Sequence, residues 1–383
     1  MPVRAARTLT ARLPARADAG PLRVLMVTPH SPLEHGGVER HVMEVSRRLV
    51  KRDVEVVVLC GDSTGNAVGE HHHEGVTIRA VRAWPARRDY YLAPGVWREI
   101  ARETWDIIHI QSYHTLVTPL AMIRALTLGI PYVVTFHGGG HSSPLRNRMR
   151  GAQRRAMRQL FARASKLIAT ARFEIEEYGR ELRLPAESFV LIPNGSDLMP
   201  GLVPVRARET GDALLASIGR LERYKGHHRV IAALPHVLKA RPDVRLLIIG
   251  TGPYEPTLRR MAVDLGVASD VEFTQISPSD RKGMVDALRR ISLVVLLSDF
   301  ETHPMVALEA AAVGRPLLVA GRAGLSALAE DGIARAVAPD DPPEAIARAI
   351  VEELEHPRIA KASRLTSWDE CTAALLELYE RVR

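Results

Sequence analysis

The sequence predicts an α/β chain made of two doubly wound units, each a parallel sheet covered by helices. Three observations carry this. Short β-branched runs alternate with helical patterns along almost the entire chain. The alternation pauses between Ser196 and Asp212, where Pro200, Gly201, Pro204 and Gly211 leave little apolar periodicity, as in a linker. The length, 383 residues, accommodates two cores of ordinary size. The expected division is an extension over residues 1–21, a first unit over 22–198, a second over 199–365, and a final helix over 366–383.

In the first unit the strands read as Arg23–Thr28, Val54–Cys60, Val76–Arg82, Asp106–Ile110, Tyr132–His137, Lys166–Thr170 and Phe189–Ile192. The helix after the first strand is the clearest. Val38, Val42, Val45 and Leu49 form an apolar stripe at helical spacing, and Glu39, Arg40, Glu44, Arg47 and Arg48 are expected to face away from it. In the second unit the strands read as Ala213–Gly219, Val244–Ile249, Val271–Thr274, Leu293–Leu297, Pro316–Ala320 and Ala334–Ala338. Two such units imply a cleft between facing carboxyl strand ends, where open α/β sheets bind ligands. The last helix opens with the capping box Ser367-x-x-Glu370 and carries Leu375, Leu376 and Tyr379.

Composition excludes several classes. Hydrophobic residues make up 46% and charged residues 25%, ordinary for a globular protein. No apolar run approaches the roughly 20 residues of a membrane-spanning helix. The Arg- and Ala-rich first twenty residues read as a disordered extension or a misassigned start rather than a targeting peptide. Cys60 and Cys371 have no metal-ligand spacing and suit a reducing cytoplasm. The net charge of +8 invites a nucleic-acid reading, but only six of the 52 basic residues are lysine, and the charges are spread along helices. The one cluster, Arg146 to Arg163, reads as a helix packed on its own sheet, or alternatively as a peripheral contact with an anionic inner-membrane face. His71–His73 precede Gly75 in an expected loop, and a solvated turn is preferred to a metal site there because no further ligand is spaced around them.

Three places look built for phosphate. Gly36-Gly37 starts the helix after the first strand, where free N–H groups and the helix dipole attract anions. Gly250-Thr-Gly252-Pro253 follows a strand, but Glu255 stands where a dinucleotide fingerprint needs its third glycine. In Gly219-Arg220-Leu221-x-x-x-Lys225-Gly226, a planar guanidinium and a mobile ammonium suit a diphosphate leaving group. A pair of ordinary surface cations would have the same spacing. The context lies in Glu301-Thr302-His303-Pro304-Met305-Val306-Ala307-Leu308-Glu309. The strand before it delivers Glu301 into a loop, where its carboxylate can accept sugar hydroxyls. Glu309, about two turns along the following helix, can accept a ribose diol. The Met305 and Val306 amides point from the helix start toward phosphate. Glu309 also lies in an apolar stretch where an idle carboxylate would be costly.

With these motifs in order, the chain resembles the retaining glycosyltransferases of family 4, which have the GT-B fold of two Rossmann-like domains. The resemblance runs from Arg23 to the end. It takes in Gly36-Gly37, Asp106-x-x-His109, Thr135-Phe-His137-Gly, Ile192-Pro-Asn194-Gly195, the Gly219–Gly226 motif, Gly250-x-Gly252 and the two glutamates. It implies that Arg220 and Lys225 bind the donor diphosphate, Glu309 the ribose and Glu301 the donor sugar. It also implies that His137 lies beside the transferring sugar, that Gly37 allows close approach, and that the final helix crosses back to the N-terminal domain. Thr302-His303-Pro304 departs from the family's frequent Gly-Phe-Gly, and His303 could add a donor-sugar contact. The region Gly321–Gly332 also departs from the family's Gly-Gly-x-x-Glu.

The expected reaction is sugar transfer from a UDP- or GDP-sugar to a hydroxyl acceptor, with retention and without metal or cofactor. The acceptor would be a glycan, a lipid-linked glycan or a small natural product, touched by N-domain loops near His114 and His141. The alternatives are a nucleotide-sugar epimerase on the same fold and a non-enzymatic binder using the Arg146–Arg163 helix. The first would need its own acid/base pair in the cleft. The second predicts salt-sensitive binding to polyanions.

Overall fold

The computed structural model describes residues 20–34, 36–85, 92–138, 151–196, 213–277, 280–338, 340–361 and 365–383. The expected linker beyond Ser196 therefore lies outside the described residues. So do residues 1–19, His141, and the Arg146–Arg150 end of the basic stretch.

The N-terminal sheet contains β1 (Arg23–Thr28), β2 (Glu55–Asp62), β3 (Gly69–His73), β4 (Val76–Arg82), β5 (Ile107–Gln111), β6 (Tyr132–Thr135), β7 (Lys166–Ala169) and β8 (Phe189–Leu191). Their order is β3-β4-β2-β1-β5-β6-β7-β8, and all pairs are parallel except β3 with β4. The helices described in this half include α1 (Gly37–Val50), α2 (Gly95–Ile100), α3 (Val117–Leu128), α4 (Arg158–Phe161) and α5 (Arg172–Leu182). The second sheet contains β9 (Ala213–Ile218), β10 (Val244–Ile249), β11 (Val271–Thr274), β12 (Leu293–Leu296), β13 (Leu317–Ala320) and β14 (Arg335–Val337). It is wholly parallel, in the order β11-β10-β9-β12-β13-β14. Its helices are α6 (His227–Ala240), α7 (Glu255–Asp264), α8 (Arg281–Arg290), α9 (Met305–Ala312), α10 (Ala323–Glu330) and α11 (Pro343–Glu355), and α12 (Trp368–Val382) closes the chain. These are the two Rossmann-like units of the expected α/β, GT-B architecture.

Burial follows from the sequence. The central strands β1, β2, β5, β9, β10 and β12 are near-continuous apolar runs because helices cover both of their faces. On α1, Val42, Val45 and Leu49 are fully buried, as the stripe predicts. The helix α12 returns to the N-terminal half. Trp368, Leu375 and Tyr379 pack into the same core as Val24, Met26, Val42 and Val45. Its capping box forms, with the Ser367 N–H donating to the Glu370 carboxylate at 2.7 Å and the Glu370 N–H to the Ser367 hydroxyl at 3.1 Å. That cap starts the helix where Trp368 can enter the core.

Three expectations change. His71–His73 are not in a loop but in the exposed edge strand β3, held by the antiparallel ladder to β4. On α1, Glu39 does not face solvent. It is buried, its carboxylate folds back over Gly36, and burial raises its pKa. Arg40 reaches across the cleft, as described below. Of the basic stretch, Met157 and Phe161 are buried in the N-terminal core and Leu160 packs against it. Arg154 donates to Glu181 at 2.8 Å. The described part of that stretch thus turns its apolar side inward; Arg154 lies over the buried Tyr113 and Tyr178 rings and Arg158 donates to the Leu182 carbonyl at 2.6 Å, while Arg155 and Arg163 are exposed. Among the described residues no helix is long and apolar enough to cross a membrane.

Candidate active site

The two sheets face one another with their carboxyl strand ends toward a common cleft. From the second unit, the β9 end carries Arg220 and Lys225, and the loop after β12 carries Glu301 and the start of α9. The Lys225 ammonium lies 2.5 Å from the Glu301 carboxylate, with side-chain exposures of 18% and 17%. Burial alone would lower the lysine pKa. The Glu301 carboxylate, helped by Tyr224, more than offsets this and raises it, so the ammonium stays charged. Arg220 lies on the cleft side, bonded to the Tyr224 hydroxyl at 2.7 Å and paired with Glu222 at 2.8 Å.

Pro304 is the N-cap of α9, and its carbonyl accepts the Ala307 and Leu308 N–H groups at 3.0 and 3.3 Å. The Met305 and Val306 N–H groups therefore precede the first intrahelical bonds and are available to an anion. Glu309 is buried in α9, as its apolar setting suggests. Two arginines hold its charge there: Arg281 of α8 at 3.0 Å and Arg40 of α1 from the opposite unit.

The first unit brings Gly37 and His137 to the same cleft. A Cβ on Gly37 would lie 3.7 Å from the Met305 side chain, so this glycine faces the α9 start directly. His137 follows β6 with φ at 44°, a strained setting for a non-glycine residue and of the kind that recurs at ligand sites. Its neighbour Gly138 accepts the Thr302 hydroxyl at 3.0 Å, which ties the His137 segment to the Glu301 loop.

Several expected site residues do something else in this structure. Gly250 and Gly252 are packing glycines. A Cβ on Gly250 would stand 1.9 Å from the Gly219 carbonyl, and one on Gly252 would stand 2.4 Å from the Leu221 carbonyl. They let the β10 loop support the Arg220 loop from behind. His303 turns toward the N-terminal unit. Its Nδ1 accepts the Asn194 N–H at 3.1 Å, its carbonyl accepts the Asn194 amide at 3.3 Å, and burial pushes its pKa down to about 4. His114 Nε2 donates to the His137 carbonyl at 3.3 Å and so supports that segment. His141 lies outside the described residues.

Sequence reasoning missed Arg40 and Arg281 because nothing in their local pattern separates them from the many surface arginines. It also missed the clasp of Thr302 and His303 onto Gly138 and Asn194. The departure of Thr302-His303-Pro304 from the family pattern was the available signal. Among the described residues no group of three or more His, Cys, Asp or Glu side chains is arranged to hold a metal ion.

The comparisons with known proteins agree with this fold. Residues 35–199 match the model for Glycosyltransferase Family 4, and residues 203–367 match that for Glycosyl transferases group 1. The chain belongs to the family 4 glycosyltransferases. It is 29% identical to a glycogen synthase of Mycobacterium tuberculosis, the alignment covering 94% of each chain. It is also 29% identical to a D-inositol 3-phosphate glycosyltransferase of Gordonia bronchialis, over 94% of this chain and 89% of that one. Among solved structures, sucrose-phosphate synthase of Thermosynechococcus elongatus superposes with a TM-score of 0.73 at 19% identity, covering 94% of this chain and 98% of that one. HepE of Anabaena, solved with UDP and glucose, superposes with a TM-score of 0.72 at 18% identity, covering 94% and 99%. At these identities the structural likeness carries the GT-B fold of this glycosyltransferase and nothing finer.

Proposed function

We propose that this glycosyltransferase moves a sugar from a nucleoside diphosphate sugar to a hydroxyl of a sugar or sugar-phosphate acceptor, with retention and without a metal ion. The carrying observation is that Lys225, Glu301, Glu309 and the α9 amides converge opposite His137 and Gly37. The chemistry of that set suits a nucleoside diphosphate sugar. The diphosphate would lie on Arg220, Lys225 and the Met305 and Val306 amides. The ribose diol would donate to Glu309, and the sugar hydroxyls to Glu301, beside His137. Donor entry would exchange the present Lys225–Glu301 and Arg40–Glu309 pairs for contacts to the ligand. The activities named for the relatives, glycogen synthase and D-inositol 3-phosphate glycosyltransferase, support the choice of acceptor class. HepE, as a fold neighbour solved with UDP and glucose, supports UDP as the first base to test.

In the reaction the bond from the anomeric carbon to the diphosphate oxygen breaks, and the acceptor oxygen bonds the same carbon on the same face. The acceptor proton passes to the departing phosphate oxygen. Negative charge grows on that phosphate, where Lys225, Arg220 and the α9 amides stabilise it in a site shielded from water. These fixed cations supply the charge a metal ion would otherwise bring.

The test is a thermal-shift panel of UDP, GDP, ADP and TDP and their sugars, followed by turnover with and without chelator. A ligand at 100 times its Kd should add about 2.7 kcal/mol of stability. Absence of a shift with every nucleotide would overturn the donor assignment. Turnover abolished by EDTA and restored by a divalent cation would overturn metal independence.

A further inference from the structure

On β5, His109 and Gln111 share one face, and Thr135 pairs with Gln111 across the ladder to β6. The surroundings are largely apolar, covered by Ile107, Val133 and Ile168 and by α12, with the buried His41 ring 4.8 Å from that of His137. Polar groups enclosed there must satisfy one another. They form one chain of hydrogen bonds. Tyr379 Oη lies 2.6 Å from His109 Nδ1, and His109 Nε2 lies 2.7 Å from the Thr135 hydroxyl and 3.2 Å from Gln111 Nε2. Gln111 Oε1 lies 2.7 Å from His137 Nε2.

The proton positions along this chain follow from donor and acceptor identity. An amide oxygen only accepts, so His137 Nε2 carries its proton. An amide nitrogen only donates, so His109 Nε2 is bare and takes the Gln111 and Thr135 hydrogens. The proton of a neutral His109 then sits on Nδ1 and is donated to Tyr379. Burial and the neighbouring rings hold both histidines well below the ordinary histidine pKa, so both are neutral at neutral pH.

We propose that Gln111 is a positioning residue that fixes His137 in the Nε2–H tautomer, leaving Nδ1 as a hydrogen-bond acceptor for a hydroxyl of the transferring sugar, with Tyr379 of α12 anchoring the far end through His109. The proposal rests on the reading of the cleft given above, in which His137 lies beside that sugar. His137 then orients the donor and does not act as a proton donor. Ser112, the residue after Gln111, has φ at 66°, so β5 and β6 each lead into a strained non-glycine position at this point.

The test uses the whole enzyme labelled with 15N-histidine. A long-range proton–nitrogen correlation at pH 7.5 distinguishes the two imidazole tautomers, and a His137→Asn variant assigns the signal. The expected result is the Nε2–H pattern for His137 and the Nδ1–H pattern for His109. An Nδ1–H pattern for His137 overturns the proposal. Two variants give a second readout. Gln111→Met keeps the volume but removes the acceptor, and should give mixed His137 tautomers and a kcat about tenfold lower. Gln111→Glu keeps an acceptor for His137, and His109 can turn its proton to Nε2 while Tyr379 donates to Nδ1. The Glu variant should therefore be the less stable of the two, since it buries a charge, yet the more active. Activity that follows stability instead would reduce Gln111 to a core residue and overturn the assignment. The tautomer measurement needs no donor, so its failure is distinguishable from failure of the proposed reaction.

Discussion

Replacing Lys225 by alanine separates what the Lys225–Glu301 pair does for folding from what it does for turnover. The ammonium is 2.5 Å from the carboxylate, and both side chains are less than one-fifth exposed. Removing it strands Glu301 in a site too dry to hydrate it fully. Breaking a fully buried pair costs about 3–5 kcal/mol, and a hydrogen bond to a charged group about 1.5–3 kcal/mol. Partial exposure puts the expected loss near 2 kcal/mol. In a domain of this size that is about 4–8 °C in Tm. Turnover should fall further, by about 10²–10³-fold, because the proposed diphosphate site loses a fixed positive charge. The double variant Lys225→Met with Glu301→Gln removes both charges and should recover most of the stability while remaining inactive. Differential scanning fluorimetry and a coupled assay of nucleotide release follow the two quantities separately. Lys225→Ala turnover within threefold of the parent, in folded protein, would refute the placement of the diphosphate. A double variant as unstable as the single one would refute the account of the pair.

Three further outcomes follow from the geometry. Glu309→Gln should cut the stabilisation by UDP by about 1.5–3 kcal/mol, or roughly 10- to 150-fold in Kd, as a charged acceptor for the ribose diol becomes neutral; titration calorimetry reads this directly. Gly226→Ala should destabilise the fold strongly, since φ is 77° and the new Cβ would lie 1.9 Å from the Leu297 carbonyl; a lowered denaturant midpoint is the measure. His41 and His303 are held near pKa 4 by burial, below the unfolded value of about 6.5. The unfolded chain then binds more protons between those values. Stability should be complete above about pH 6.5 and fall toward pH 4, at up to about 1.4 kcal/mol per pH unit for each ring. His303→Gln should flatten that slope by one proton in urea titrations at pH 5.

The fold was legible because its signals are local and repeated. Strand runs such as Val244–Ile249 and Val271–Thr274 have the same limits in the structure as in the sequence. The carboxylates of the cleft were legible for a similar reason: a strand, a loop and a helix start place Glu301 and Glu309 whatever lies around them. What was hidden depends on the other half of the molecule. Arg40 is one arginine among many until the cleft brings α1 to Glu309. His303 looked like a sugar contact because its sequence neighbours were read that way, whereas Asn194, more than a hundred residues earlier, takes its ring nitrogen and its carbonyl. Gly250 and Gly252 looked like phosphate glycines because backbone approach to a ligand and to another backbone leave the same mark.

The return of α12 has a consequence for how the molecule is made. The core that holds Val24, Met26 and Val42 is completed by Trp368, Leu375 and Tyr379. A nascent chain emerging from the ribosome therefore has its first sheet long before it has the wall of that sheet. The second unit, contiguous from β9 to α11, can mature while the first still waits, with an open apolar face, for the last helix to be synthesised. The core shared by β1 and α1 is therefore complete only once α12 has been added.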